Sequence, residues 1–342
     1  MFVLDHKNDQ NEYIYVEHTE HTYISGVGFI DEPSWLNGRK RIKLLATYIG
    51  FFNVLIVFLP FILNYVFSLL YKIFGVPSAP LQSGIKNLAV YALTLLFSAL
   101  IFVYLQKPVS LKQKGRACIS APVFLCSMPI VFGIAVFGVF TSVLINLFLQ
   151  IFGVSSSFAP EFPQKAPESV IFILSFVIIP AVLEELIFRK IFLCQLSEFG
   201  NRFAIITSAI LFAMSHRNLS QMFPAFLFGL VAGWLVIKTK TVWIGIFMHL
   251  LNNGLAAFVS YLNQNGYGDT VLKYFFPVCI VFSLFGVVAW FTLCNLPYLK
   301  SSVKIKDIML KQKIGAFFTN EMIIVSIIIF LCFTISNFSL IE

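Results

Sequence analysis

Long unbroken runs of hydrocarbon side chains constrain this chain more than any motif. They occupy about 44 to 71, 88 to 105, 122 to 152, 169 to 190, 203 to 216, 222 to 237, 242 to 262, 274 to 295 and 322 to 340. A bilayer core takes roughly 20 apolar residues per helix, and backbone hydrogen bonding leaves only helices or closed barrels able to cross it. The runs lack the alternation of a barrel strand, so the expectation is an all-α polytopic membrane protein of eight to nine spans. Composition agrees, with 58% apolar and only 12% charged residues against about 25% charged in a soluble domain. The first and third runs are long enough to tilt, or to hold a break at Pro60 or Pro129.

The net charge of +8 invites a nucleic-acid reading, but its distribution is topological. Arg39, Lys40, Arg41 and Lys43 precede the first run; Lys107, Lys112, Lys114 and Arg116 lie between the second and third. Lys238 and Lys240 follow the sixth, and Lys300, Lys304, Lys306, Lys311 and Lys313 precede the last. With the N-terminus in the cytoplasm, 19 of the 24 Lys and Arg fall on the cytoplasmic side, as the positive-inside rule requires. No contiguous basic patch for nucleic acid is present. Met1 to Gly38 is polar, carries seven acids and lacks the pattern of a cleavable signal, so the first span is the expected anchor. The six cysteines, Cys118, Cys126, Cys194, Cys279, Cys294 and Cys332, form no C-x-x-C pair and read as small core residues.

Four regions follow: a polar cytoplasmic tail at 1–43, a transmembrane scaffold at 44–164, a core at 165–262 and C-terminal helices at 263–342. Within the tail, Glu12 to Ile24 alternates weakly like a short strand, and its His18 and His21 read as solvated rather than as metal ligands. Spans one to three carry no carboxylate and read as scaffold. In the core, Glu184 and Glu185 are the two acids well inside an apolar span. Each ionisable group at bilayer depth costs about 2.5 to 3.5 kcal/mol on insertion scales, so the pair needs a reason. Glu185 can pair with Arg189 at i, i+4. Glu184 is left without a partner on its own helix.

His216 and His249 are the histidines that fall in hydrophobic spans, and Asn253 shares a helical face with His249 at i+4. Gly200 is the expected turn between spans four and five; Glu184 lies sixteen residues before it and His216 sixteen after, so an antiparallel hairpin sets them level. Measured from the hairpin tip and from the start of span seven, Glu184 and His249 both fall on the order of 10 Å below the cytoplasmic surface. That placement leaves Arg217, Asn218, Ser220 and Gln221 near mid-membrane, where they require a water-filled vestibule. Pro180 lacks the N–H that would reach the Phe176 carbonyl, and a bend there would open room beside the glutamates.

The chemistry of this inventory is hydrolytic. A glutamate can take a proton from water and return it to a leaving amine. His216 can share that water, and His249 with Asn253 can donate to an oxyanion. Glu184, His216 and His249 could also bind zinc, since catalytic zinc uses three protein ligands plus water. No H-E-x-x-H is present, which favours a metal-free site.

Three motifs occur in order: E-E-x-x-x-R from Glu184 to Arg189, F-x-x-x-H from Phe212 to His216, and H-x-x-x-N from His249 to Asn253. Together with Gly229 to Asn253, where Gly229 and Gly233 permit close helix packing, they resemble the CAAX protease and bacteriocin-processing family of intramembrane endopeptidases. The resemblance covers roughly residues 165 to 262. It implies a core bundle of four helices in which Glu184 and His216 activate water, His249 and Asn253 stabilise the oxyanion, and Glu185, Arg189 and Phe212 orient the site. The implied partners are a peptide or protein substrate at the membrane and the lipid bilayer. The family spans enzymes acting on prenylated proteins and bacterial members tied to peptide processing or bacteriocin immunity. The abundance of Phe, Ile, Lys and Asn suits an AT-rich bacterial genome, hence a bacterial cell membrane. Two other classes compete: a proton-coupled transporter using the same carboxylates, and a non-catalytic immunity or binding protein on the same fold.

Overall fold

The computed structural model describes residues 19–24, 28–76, 79–106, 120–156, 160–296 and 310–340. The strand expected over Glu12 to Ile24 is present from Thr19 to Ile24 as β1 (Thr19–Ile24), which pairs antiparallel with β2 (Gly28–Pro33); its first part, 12–18, lies outside the described residues. His18, Cys118, the basic residues from Lys107 to Arg116, and Lys300, Lys304 and Lys306 lie outside the described residues.

Helices account for nearly all the rest. They are α1 (Ser34–Ile73), α2 (Pro80–Gln106), α3 (Ala121–Gln150), α4 (Ala166–Phe199), α5 (Asn201–Ser215), α6 (Leu219–Thr239), α7 (Trp243–Gln264), α8 (Gly268–Asn295), α9 (Leu310–Phe318) and α10 (Glu321–Ser336). Two two-residue strands, Val154–Ser155 and Ser339–Leu340, pair antiparallel. The molecule is an all-α polytopic membrane protein.

Among the described residues seven helices are long and apolar enough to span, or eight if α9 and α10, bent by 70°, count as one. The run expected at 203 to 216 is the difference. Its helix α5 has 15 residues, about 22 Å at 1.5 Å per residue, short of a hydrocarbon core of about 30 Å. Gly200 stops it at one end with φ +120°, a conformation open to glycine. Arg217, with φ +52°, turns the chain at the other end. The long runs do not break: α1 continues through Pro60 and α3 through Pro129.

Pro180 produces neither a break nor a separate helix. The ladder widens ahead of it into a π-helical segment, Leu174–Ile178, where the Ile179 N–H reaches back to the Leu174 carbonyl. After the normal turns of Ile179–Glu185 a second π segment covers Leu186–Phe192. Such widenings are how a helix accommodates a missing donor or an extra residue, and they concentrate at functional sites. Both glutamates therefore sit between two local departures from α geometry.

Aromatic packing fixes α4 against the N-terminal helices. Phe192 meets Phe52 of α1 and Phe102 of α2 with ring centroids 5.0 Å apart in each case, and all three rings are buried. On the α5 side, a Cβ on Gly229 would come within 2.9 Å of Ala209, so that glycine brings α6 close to α5. Gly233 meets only ordinary contacts. Large apolar side chains such as Phe140, Phe148, Leu284 and Phe291 stay exposed on the outer helices, an arrangement that lipid, not water, makes favourable.

Polar contacts tie the helix ends together. At one end Arg41 pairs with Glu198 at 2.7 Å, and Asn320 donates to the Lys43 carbonyl. At the other, Asn337 donates to the Arg217 carbonyl at 2.9 Å, and Ser260 donates to the Pro160 carbonyl.

Candidate active site

Three elements inside the core and one outside it build the site. Helix α4 contributes Glu184, Glu185 and Arg189, and α7 contributes His249 and Asn253. The α5 terminus contributes Phe212 and His216, and α2 contributes Tyr91.

Glu185 is fully buried, and one of its oxygens faces two partners: Arg189 NH1 at 3.2 Å and His249 Nδ1 at 3.2 Å. Arg189, 1% exposed, lies face-on to the Phe212 ring, its guanidinium carbon 4.1 Å from the centroid. The Phe228 ring flanks the guanidinium at 5.6 Å. A buried ion pair is a weak source of net stability, but removing one partner strands the other. Gly245, one turn before His249, makes the arrangement possible, because a Cβ there would lie 2.5 Å from the second oxygen of Glu185.

Glu184 points the other way and is the more accessible of the two, its side chain 16% exposed. The Tyr91 hydroxyl donates to its Oε1 at 2.6 Å. Its Oε2 lies 3.9 Å from His249 Nε2. That separation is too long for a direct hydrogen bond. The imidazole of His249 thus stands between two carboxylates, one on each ring nitrogen. A carboxylate accepts, so Nδ1–H donates to Glu185, and Nε2 faces Glu184.

His216 sits at the C-terminal end of α5 and is partly buried. Its Nδ1 lies 2.9 Å from the Phe212 carbonyl one turn back, which directs Nε2 away from its own helix. Glu184 and His249 are both within its electrostatic reach. Phe212 is the shared wall, with edge-on contacts to His216 at 4.9 Å and to His249 at 5.8 Å.

Asn253 is placed differently from expectation. Its Nδ2 donates to the Phe176 carbonyl at 3.0 Å, the carbonyl that Pro180 cannot serve, so the carboxamide docks α7 onto the widened part of α4. Its Oδ1 accepts from Asn252 at 3.2 Å. Of the two N–H groups on that amide, one is spent on the backbone.

Of residues 217 to 221, expected to line a wet vestibule, Asn218 and Ser220 have protein partners. Asn218 caps α6 by accepting from the Gln221 N–H at 3.2 Å. Ser220, 4% exposed, joins Asn146 and the Ser156 carbonyl in a buried polar knot. Among the described residues no three His, Cys, Asp or Glu side chains converge as a metal site.

Two contributors escaped sequence reading. Tyr91 carries no signal, since its helix holds no carboxylate and its contact partner is 93 positions away. Gly245 was findable: with His249 and Asn253 it completes a small-His-Asn stripe at i, i+4 and i+8 on α7.

Residues 166–255 match the family model described as type II CAAX prenyl endopeptidase, Rce1-like. The match takes in roughly a quarter of the chain. The chain is also similar to a Bacillus subtilis (strain 168) protein named "Putative membrane peptidase YdiL", with 36% identity over 77 residues. That alignment covers 22% of this chain and 32% of the relative, so the chain spans about a third of the relative it matches. No solved structure matches. All the motif residues from Glu184 to Asn253 fall inside the family match; Tyr91 falls outside it.

Proposed function

We propose that this protein is an intramembrane endopeptidase that hydrolyses peptide bonds of membrane-associated peptides or proteins near the cytoplasmic face, with its N-terminus in the cytoplasm. The observation that carries the reading is the 3.9 Å approach of Glu184 Oε2 to His249 Nε2, a gap accessible on the Glu184 side, with His216 across the shared Phe212 ring.

A water in that gap is activated by Glu184, with His216 as the second acceptor. As the water oxygen attacks the peptide carbonyl carbon, its proton passes to Glu184. The oxyanion that forms meets Nε2 of His249, whose Nδ1 is held by Glu185 at 3.2 Å, and the remaining N–H of Asn253. Glu184 then delivers its proton to the departing nitrogen, the C–N bond breaks, and a carboxylate and an amine leave. Arg189 and Phe212 act at one remove, by holding Glu185 and both imidazoles in place.

The test is comparative peptidomics of membrane fractions carrying the wild type and Glu184→Gln. Peptides released by the wild type should disappear with Glu184→Gln, a loss on the order of 10²- to 10⁴-fold for a proton-transfer group. Equal release by a normally inserted Glu184→Gln protein would sink the assignment.

A further inference from the structure

Tyr91 belongs to a helix outside the family match, yet its hydroxyl makes the shortest polar contact to Glu184, 2.6 Å to Oε1. The position is not incidental. Tyr91, Leu95, Ser98 and Phe102 recur at helical spacing along α2, and the last three are buried. Phe102 locks that face onto Phe192 of α4 with ring centroids 5.0 Å apart. The same interlock that joins α2 to α4 therefore sets where the phenol stands.

A glutamate side chain has three rotatable bonds and would otherwise swing within a partly open site. Tethering Oε1 leaves Oε2 as the oxygen turned toward His249 Nε2. Hydrogen bonds to an ionised carboxylate are among the strong ones and hold direction as well as distance. We propose that Tyr91 is a positioning residue, fixing the Glu184 carboxylate so that Oε2 presents to the water. The site is then incomplete in the family segment alone. This rests on Glu184 being the base.

Two readouts test it on the purified full chain. The first needs no substrate: dicyclohexylcarbodiimide, an apolar reagent for intramembrane carboxyls, followed by mass-spectrometric mapping of Glu184. A carboxyl oxygen held in a hydrogen bond is withheld from the reagent, so Tyr91→Phe should label Glu184 roughly tenfold faster. Tyr71→Phe, which removes a hydroxyl bonded to the Gln82 carbonyl instead, should leave labelling unchanged. The second uses a fluorophore–quencher peptide of a sequence cleaved in the membrane-fraction comparison. Tyr91→Phe should lower kcat roughly 10- to 100-fold with KM held within about twofold. In a Glu184→Asp background, with the carboxylate withdrawn by one methylene, the same change should alter kcat by less than about twofold.

Unchanged labelling with wild-type kcat overturns the proposal, as does a raised KM at constant kcat. A fall in melting temperature that accounts for the lost activity makes the hydroxyl a structural tie and overturns it too. If Glu184→Gln cleaves as fast as wild type, it is the base assignment that fails, and the labelling experiment still decides whether Tyr91 holds the carboxylate.

Discussion

The block from α4 to α7 and the flanking helices α1 to α3 and α8 to α10 are made of the same hydrocarbon, yet they solve different problems. Four of the flanking helices, α1 to α3 and α8, are long; the flanking helices leave large side chains such as Leu284 and Phe291 exposed to lipid and pack largely through aromatic and aliphatic contacts. The inner block includes one helix too short to span and one with two π segments. It also buries an ion pair and a histidine wedged between two glutamates. Irregular backbone and charge are tolerated at membrane depth only where protein covers them. The outer helices provide that cover.

If the division is real, removing a charge from the inner block should cost most. Glu185→Gln strands the buried Arg189 and should destabilise by about 3 to 5 kcal/mol, seen as a lower melting temperature in detergent. The paired change Glu185→Gln with Arg189→Gln should recover part of the loss. Gly245→Ala comes next. The added methyl would press on a Glu185 oxygen, an overpacking cost of about 1 to 3 kcal/mol, and peptide release should fall with it. Phe291→Ala, on the lipid-facing side of α8, should stay within about 0.5 kcal/mol of wild type. A penalty at Phe291 as large as that at Gly245 would break the comparison.

Much of this was legible in the chain itself. Runs of apolar residues mark the spans, and Gly200 does make the turn between the fourth and fifth helices. The i, i+4 relation joins Glu185 to Arg189. These are regularities of a single helix or a tight hairpin. What stayed hidden depends on which distant segments touch. Tyr91 reaches Glu184 across 93 positions, and Asn146 and Ser220 satisfy each other across 74. Neither pairing follows from periodicity, and the second gives Ser220 a protein partner. Asn253 shows the same limit in reverse: its helical face was readable, but not that a proline one helix away leaves a carbonyl for it to occupy.

One contact changes how the molecule can be divided. Asn337, just past the last long helix, grips the carbonyl of Arg217, the residue that follows His216 and holds the left-handed turn there. The stretch shared with relatives is consequently no portable cassette. Grafted elsewhere, or trimmed of its C-terminal end, it would lose the clasp that keeps the His216 corner shut.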